Sequence, residues 1–186
     1  PPISPGAVPD AIPYAEPITR AGNSSPYTVN GKTYTVLSSA ENYSEEGVAS
    51  WYGLKFHGRA TANGERFSAY EPTAAHRSLP IPTFIRVTNL ENQASMVVRV
   101  NDRGPFHPDR ILDLSYGAAV RLGFADQGTA KVRIDSVEVI GVSDLRTRGV
   151  DEYLTLQLGA FMNEATAKAL ARDSQRLVAV SAEVLP

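Results

Sequence analysis

The chain has 186 residues, no cysteine and a net charge of −2 at neutral pH. The absence of cysteine excludes a disulfide framework, a thiolate zinc site and a cysteine nucleophile. Because the 18 basic residues are spread along a nearly neutral chain, there is no electrostatic reason to expect nucleic acid or an anionic membrane as a partner.

Residues 1–26 are predicted to form a disordered tether. Seven of these residues are proline, and proline at this density blocks helices and sheet ladders and favours an extended chain. The segment also lacks the basic and apolar regions of a signal peptide. It is therefore interpreted as a spacer that takes no part in the core.

Residues 27–140 have the pattern of a domain built from short β-strands. Asn30-Gly31 lies between two β-rich pieces and predicts a hairpin. One helix is predicted, with Ser115 as its N-cap and Gly123 just past its end. Many short strands with one small helix favour a compact barrel over a parallel sheet. Further strands are predicted over residues 47–52, 83–89, 95–101 and 130–140.

The last part of the chain has a different pattern. Residues 141–151 are polar and are predicted to be a linker, and they precede an alternating strand, a helix and an apolar run. Roughly 35 residues are too few to bury a stable core alone. Residues 152–186 are therefore predicted to be an incomplete α+β domain.

Three loops, at residues 55–67, 73–80 and 100–106, carry most of the chemically active side chains. Glycine or proline flanks each loop, and loops at strand ends are a usual place for functional residues. The loops and their borders hold aromatic and planar cationic side chains that can stack on sugar rings, although packing at the rim of the fold explains any single one as well. The set is Trp51, Tyr52, Phe56, His57, Arg59, Arg66, Phe67, Arg103 and Phe106.

Two carboxylates in these loops, Glu65 and Asp102, are candidates for proton transfer. A carboxylate held at a turn beside apolar neighbours has a raised pKa and can donate a proton, a description that Glu65 fits. The alternatives are a solvated Glu65 whose charge is answered by Arg66, and an Asp102 that caps its own turn. His76 either orients a substrate group or is a buried histidine bonded to backbone, and the residues alone favour the second. The three histidines lack zinc spacing, so no metal and no cofactor are predicted.

Several blocks of the chain occur together in one order: residues 47–53 (GVASWYG), 56–59 (FHGR), 61–65 (TANGE), 73–76 (TAAH), 98–106 (VRVNDRGPF) and 112–116 (LDLSY). In these blocks the chain resembles the rare lipoprotein A family of septal lytic transglycosylases. The resemblance implies a mainly β fold, a six-stranded double-psi β-barrel with one or two short helices. It implies that Glu65 and Asp102 are the catalytic carboxylates, with His76 nearby. The residues then expected to bind substrate are Trp51, Tyr52, Phe56, His57, Asn63, Arg66, Asn101, Arg103 and Phe106.

The same resemblance implies a partner and a location. The partner is the peptide-free glycan strand of peptidoglycan, and the protein is expected to be monomeric. The Pro-rich start resembles the spacer after the family's lipid-bearing cysteine, which implies a periplasmic, outer-membrane lipoprotein at the division septum. Residues 156–161 and the helix after them resemble the opening of a SPOR repeat, which binds peptide-free strands, but the second half of that repeat is not found.

The reaction that the resemblance implies is non-hydrolytic. Glu65 would protonate the glycosidic oxygen after N-acetylmuramic acid, and the C6 hydroxyl of that sugar would attack its anomeric carbon to leave a 1,6-anhydro end. Asp102 would stabilise the positive ring or orient Glu65, and His76 would hydrogen-bond one of them; the reverse assignment of the carboxylates stays open. The rival interpretations are an expansin-like module that binds without cutting, an inverting hydrolase on the same barrel and a structural scaffold at the septum.

Overall fold

A computed structural model describes residues 3–139 of the chain, which form eight strands, one short α-helix and two 3-10 turns. The strands are β1 (Tyr27–Val29), β2 (Lys32–Tyr34), β3 (Ser44–Trp51), β4 (Thr73–Ala75), β5 (Thr83–Asn89), β6 (Ser95–Asp102), β7 (Arg110–Leu114) and β8 (Thr129–Ser136). The helix is α1 (Tyr116–Arg121), and the 3-10 turns are Pro5–Ala7 and Leu54–Phe56. None of the helices in the described range has the length and apolar character that crossing a bilayer requires.

Six of the strands close into a barrel in the order β3-β7-β4-β6-β5-β8, and β8 pairs back to β3. Two pairs are parallel, β3 with β7 and β4 with β6, and each contains a register shift. The other four pairs are antiparallel. This repeated parallel pairing within a closed six-stranded barrel is the double-psi arrangement, so the predicted fold class is confirmed.

The burial pattern of the strands shows which faces of the barrel are covered. Along β8, buried Ala130, Val132 and Ile134 alternate with exposed residues, as expected for a strand with one wet face. In β5, by contrast, six of seven residues are buried. Phe84, on the outer side of β5, is only 4% exposed because the ring of Tyr14 lies 5.7 Å from it. Part of the outer surface is therefore covered by the N-terminal segment.

This N-terminal segment, residues 3–26, is called the strap below. Its residue Val8 is 2% exposed and belongs to the core cluster, and Asp10 forms an ion pair with Arg121 of α1 at 3.1 Å. The backbone N–H of Ala11 donates to the carbonyl of Val97 in β6 (2.9 Å), and the Val97 N–H donates to the Asp10 carboxylate (2.8 Å). The strap thus occupies an edge of β6 that the three-residue β4 is too short to reach.

The prediction that residues 1–26 form a disordered tether outside the core is wrong for residues 3–26. Proline removes the backbone donors that a regular ladder needs, but it leaves an extended chain that single hydrogen bonds and buried side chains can fix. The carbonyl of Val8, which accepts a hydrogen bond from the Arg121 guanidinium, is one such point. The residue periodicity that predicts strands does not reveal isolated contacts of this kind.

The other local predictions have mixed outcomes. Asn30 and Gly31 have φ values of 51° and 76°, and they join β1 to β2 as the predicted hairpin, which forms a sheet separate from the barrel. The Ser115 hydroxyl accepts a hydrogen bond from the third residue of α1, and Gly123 has φ 77°, as the helix prediction requires. β4 and β7 were not predicted as strands. The predicted linker (141–151) and the partial SPOR-like segment (152–186) lie outside the described residues.

Candidate active site

The loop that carries Glu65 is shaped by its own residues. The Asn63 side-chain oxygen accepts hydrogen bonds from the Thr61 hydroxyl (2.6 Å) and from the Glu65 N–H (3.2 Å). Gly64 has φ 90°, a conformation that a side chain would strain. Asn63, expected at the substrate, therefore uses its carbonyl oxygen to form the turn that presents Glu65.

Two side chains of β6 bind the Glu65 carboxylate. Arg99 donates to both of its oxygens, from Nη1 at 2.7 Å and from Nη2 at 2.8 Å, and Asn101 donates to Oε2 at 2.9 Å. The hydrogen bonds from Arg99 are the main reason that the pKa of Glu65 is lowered to about 2. The prediction of a raised pKa for Glu65 is therefore wrong, because barrel closure brings a guanidinium, not only apolar neighbours, against the carboxylate. Glu65 is ionised at neutral pH, and its side chain is 41% exposed.

Asp102 has the opposite environment. It is the last residue of β6, and its Oδ1 accepts hydrogen bonds from the N–H groups of Ala62 and Arg103, both at 2.8 Å. Within the described residues no hydrogen bond reaches its Oδ2. Burial raises the pKa of Asp102 despite the two backbone donors. This carboxyl group is therefore more easily protonated than Glu65.

A groove of about 630 Å³ opens over Asp102. Its lining includes Tyr52, Phe56 and Phe106, and the Tyr52 ring lies 4.4 Å from that of Phe67. The hydroxyl of Tyr52 is buried without a hydrogen-bond partner in the described part of the chain, and so is the side-chain oxygen of Asn101. Buried polar atoms are normally paired, and of these two residues Tyr52 lines the groove while Asn101 lies at Glu65.

Four of the predicted substrate-binding residues line this groove, and they are Tyr52, Phe56, Arg103 and Phe106. Asn63 and Asn101 contact Glu65 instead. The remaining three, Trp51, His57 and Arg66, do not line the groove. The Trp51 indole donates to a backbone carbonyl (3.0 Å), His57 accepts from a backbone N–H (3.2 Å), and Arg66 donates to a backbone carbonyl (3.1 Å).

His76 is buried, with 1% exposure. Its Nδ1 accepts hydrogen bonds from two backbone N–H groups of its own loop, at 3.1 and 2.9 Å. The proton is therefore on Nε2, which faces the Tyr43 hydroxyl at 3.3 Å and the Glu45 carboxylate at 3.6 Å. Burial lowers the pKa of His76, so the ring is neutral. The expected side-chain hydrogen bond from His76 to Glu65 or Asp102 is not formed; the contact to Asp102 is from the His76 backbone N–H to its carbonyl (3.1 Å).

Two residues at the site, Arg99 and Glu16, were not predicted from the sequence. Arg99 lies two positions before Asn101 in β6, and the two-residue period of a strand places both on one face, which is a signal that was available. Glu16 of the strap binds Arg99 and lines a second groove of about 720 Å³ together with Tyr14 and Tyr43. Nothing in the pattern around Glu16 indicates this contact.

Within residues 3–139, no three His, Asp or Glu side chains are grouped to hold a metal ion.

Comparison with known proteins gives the family. Residues 44–134, which run from the start of β3 to Ile134 in β8, match the family model described as lytic transglycolase. The chain is 45% identical over 172 residues to the endolytic peptidoglycan transglycosylase RlpA of Neisseria meningitidis serogroup B, covering 92% of this chain and 70% of that protein. This chain belongs to the RlpA family. The predicted resemblance to the rare lipoprotein A family, abbreviated RlpA, is confirmed.

Other RlpA proteins are more similar over a shorter stretch. Those of Pseudomonas aeruginosa and Vibrio cholerae are 52% and 50% identical over 133 and 138 residues, or 72% and 74% of this chain. The chain spans only 38% and 52% of the length of these two relatives. Among solved structures, the apo expansin of Clavibacter michiganensis is 26% identical, with 52% of this chain and 51% of the expansin covered and a TM-score of 0.41.

Proposed function

We propose that this RlpA-family chain is an endolytic lytic transglycosylase that cuts the bond between N-acetylmuramic acid and N-acetylglucosamine in peptidoglycan. Membership of the family supports the reaction class. The observation that carries the proposal is a pair of carboxyl groups in opposite environments, linked by the hydrogen bond from the Ala62 N–H of the Glu65 loop to Asp102. Arg99 and Asn101 bind Glu65 and lower its pKa, while Asp102 lines the groove and burial raises its pKa. Two carboxyl groups with opposite shifts are the usual arrangement for cleavage of a glycosidic bond.

Asp102 is the proton donor in this proposal. Its Oδ2 carries the proton because both backbone hydrogen bonds go to Oδ1. The proton passes to the glycosidic oxygen, the bond from that oxygen to C1 of N-acetylmuramic acid breaks, and N-acetylglucosamine leaves with a free 4-hydroxyl. The C6 hydroxyl of the muramyl sugar then bonds to C1, and its proton returns to Asp102. The carboxyl group is thereby regenerated without water.

Glu65 takes the role of a fixed negative charge. A carboxylate with a pKa of about 2 is a weak base at neutral pH and does not hold a proton to give. Its charge favours the positive ring that forms as the glycosidic bond breaks. This reverses the roles that the sequence predicts for Glu65 and Asp102, and the support for the reversal is the pair of hydrogen bonds from Arg99 to Glu65.

The groove supports a polysaccharide as substrate. Aromatic rings of Tyr52, Phe56 and Phe106 provide surfaces for sugar stacking, and the Asp102 carboxyl group in the same lining provides a polar contact. The partner proposed is the peptide-free glycan strand, and the place is the cell envelope outside the cytoplasm. The finer parts of the proposal, an outer-membrane lipoprotein that acts as a monomer at the septum, are supported by the resemblance of the sequence to its family.

The test is mass spectrometry of the products after incubation with peptide-free glycan strands. Asp102→Asn and Glu65→Gln are compared with the parent and with Asp109→Asn, a matched control whose carboxylate is 83% exposed near the groove. We expect 1,6-anhydro ends from the parent and the control, a loss of roughly 100- to 10,000-fold for Asp102→Asn and a smaller loss for Glu65→Gln. Reducing ends in place of anhydro ends would make the protein a hydrolase. Strands that stay intact but remain bound to the parent would make it a binding module.

A further inference from the structure

The strap reaches the Glu65 side of the proposed active site through Glu16, which binds Arg99. The side chains of Glu16 and Arg99 are 16% and 15% exposed, so this contact is largely shielded from water. Arg99 Nε donates to Glu16 Oε1 and Arg99 Nη2 donates to Glu16 Oε2, both at 2.7 Å. Such a two-pronged pair fixes the plane of a guanidinium more strictly than a single contact does.

The guanidinium of Arg99 is shared between two carboxylates, one on each edge. Glu16 occupies the edge formed by Nε and Nη2, and Glu65 occupies the edge formed by Nη1 and Nη2. These four hydrogen bonds use four of the five N–H groups that an arginine offers. The edge left for Glu65 is therefore determined by the edge that Glu16 has taken.

Glu16 comes from a part of the chain that has its own anchors. Val8 lies in the core cluster, and Asp10 is bound to β6 and to α1. Farther along, the Asn23 side chain accepts from the Ile81 N–H at 2.8 Å. Since contacts on both sides of Glu16 hold the strap, the carboxylate of Glu16 is delivered to Arg99 by the fold of the strap and not by chance contact of a loose chain.

We propose that Glu16 is a positioning residue for Glu65: it holds the Arg99 guanidinium in the orientation that binds the Glu65 carboxylate. The proposal rests on the function proposed above, in which Glu65 is the fixed negative charge of the site. It makes the strap a working part of the active site although the strap precedes the matched family region at residues 44–134.

The groups around Glu65 determine in which direction its pKa should change when Glu16 is removed. Besides Arg99, the neighbours that affect Glu65 are Asn101 of β6 and Asn63 of its own loop, both as hydrogen-bond partners. Tyr14 of the strap interacts electrostatically with Glu16, Arg99 and Glu65. If Glu16 acted only as a nearby negative charge, its removal would lower the pKa of Glu65. If Glu16 orients Arg99, its removal weakens the Arg99 hydrogen bonds and raises the pKa of Glu65.

The experiment is a carbon-13 NMR titration of the Glu65 carboxyl in the parent, Glu16→Ala and Asp10→Ala, with turnover of glycan strands measured on the same samples. Asp10→Ala is the matched control because it removes a strap carboxylate that binds β6 and α1 without contacting Arg99. We expect Glu16→Ala to raise the pKa of Glu65 by about one unit and to lower kcat roughly tenfold with KM nearly unchanged. Asp10→Ala is expected to leave the pKa of Glu65 in place.

Arg99→Ala completes the comparison. In that background Glu16→Ala is expected to have no further effect on the titration of Glu65, because the residue through which it acts is gone. The proposal is overturned if Glu16→Ala leaves the pKa unchanged or lowers it, if Asp10→Ala raises it equally, or if the effect persists without Arg99. Should Arg99→Ala not fold, the two single variants still decide. The titration does not require turnover, so a parent that binds glycan without cutting it would refute the proposed function and leave this coupling testable.

Discussion

Truncation of Val8 to alanine tests whether the strap is part of the folded core. Val8 is 2% exposed and lies in the cluster that also contains residues of α1. Its replacement removes two buried methyl groups, at about 0.8 kcal/mol each for the lost transfer free energy, plus a small cavity. The expected loss in the free energy of unfolding is about 2 kcal/mol, which corresponds to a drop of about 7 °C in Tm for a fold of this size.

The assay is urea denaturation followed by tryptophan fluorescence, since the chain has one tryptophan, Trp51, in β3. Ile12→Ala is the matched control, because Ile12 is another β-branched residue of the strap but is 78% exposed. Its replacement is expected to change the free energy of unfolding by less than about 0.5 kcal/mol. Equal, small effects for both variants would refute the reasoning and return residues 3–26 to the status of a loose tether.

Two further predictions concern charge and hydrogen bonding in the barrel. The pKa of Glu65 is lower in the folded state (about 2) than its ordinary value of 4.5, so its contribution to stability is present above pH 4.5 and is lost as the pH falls toward 2. Glu65→Gln should therefore flatten the dependence of the free energy of unfolding on pH in that window, by about 1 kcal/mol after allowance for solvent screening of a 41% exposed side chain. An unchanged loss of stability at acid pH would contradict the role of Arg99. The Nδ1 of His76 accepts hydrogen bonds from two backbone N–H groups. In thermal unfolding, His76→Leu should lower the free energy of unfolding by roughly 3 kcal/mol, and His76→Asn, which keeps an acceptor at that position, by roughly 1 kcal/mol. Equal losses for the two variants would mean that these hydrogen bonds contribute little.

The sequence determined the features that depend on near neighbours. Asn30-Gly31 sets a hairpin, and Ser115 and Gly123 set the ends of α1, because turn and cap conformations are decided within a few residues. The alternation of Val132 and Ile134 with charged residues set β8. The family blocks set the closed barrel and picked out Glu65 and Asp102 as candidates for the site.

The strand pairs that close the barrel were less visible in the sequence. β4 has three buried residues and shows no alternation, because its side chains are covered on both faces. Its neighbours β6 and β7 come 20 or more positions later, so its place in the sheet depends on long-range pairing. β7 has five residues, and it also pairs with strands that are distant in sequence, β3 and β4. A periodic pattern needs more residues than these strands contain.

The properties of the site were decided by tertiary structure. Glu65 and Asp102 are both loop or strand-end carboxylates in the sequence, yet one meets Arg99 and the other is buried against backbone. A pKa depends on which groups closure of the barrel brings within a few ångströms, and sequence distance does not give that separation. The contact between Glu16 and Arg99 joins residues 83 positions apart. The contact exists because the strap binds an edge of β6 that β4 leaves unpaired. That open edge is a property of the assembled barrel and not of any single segment.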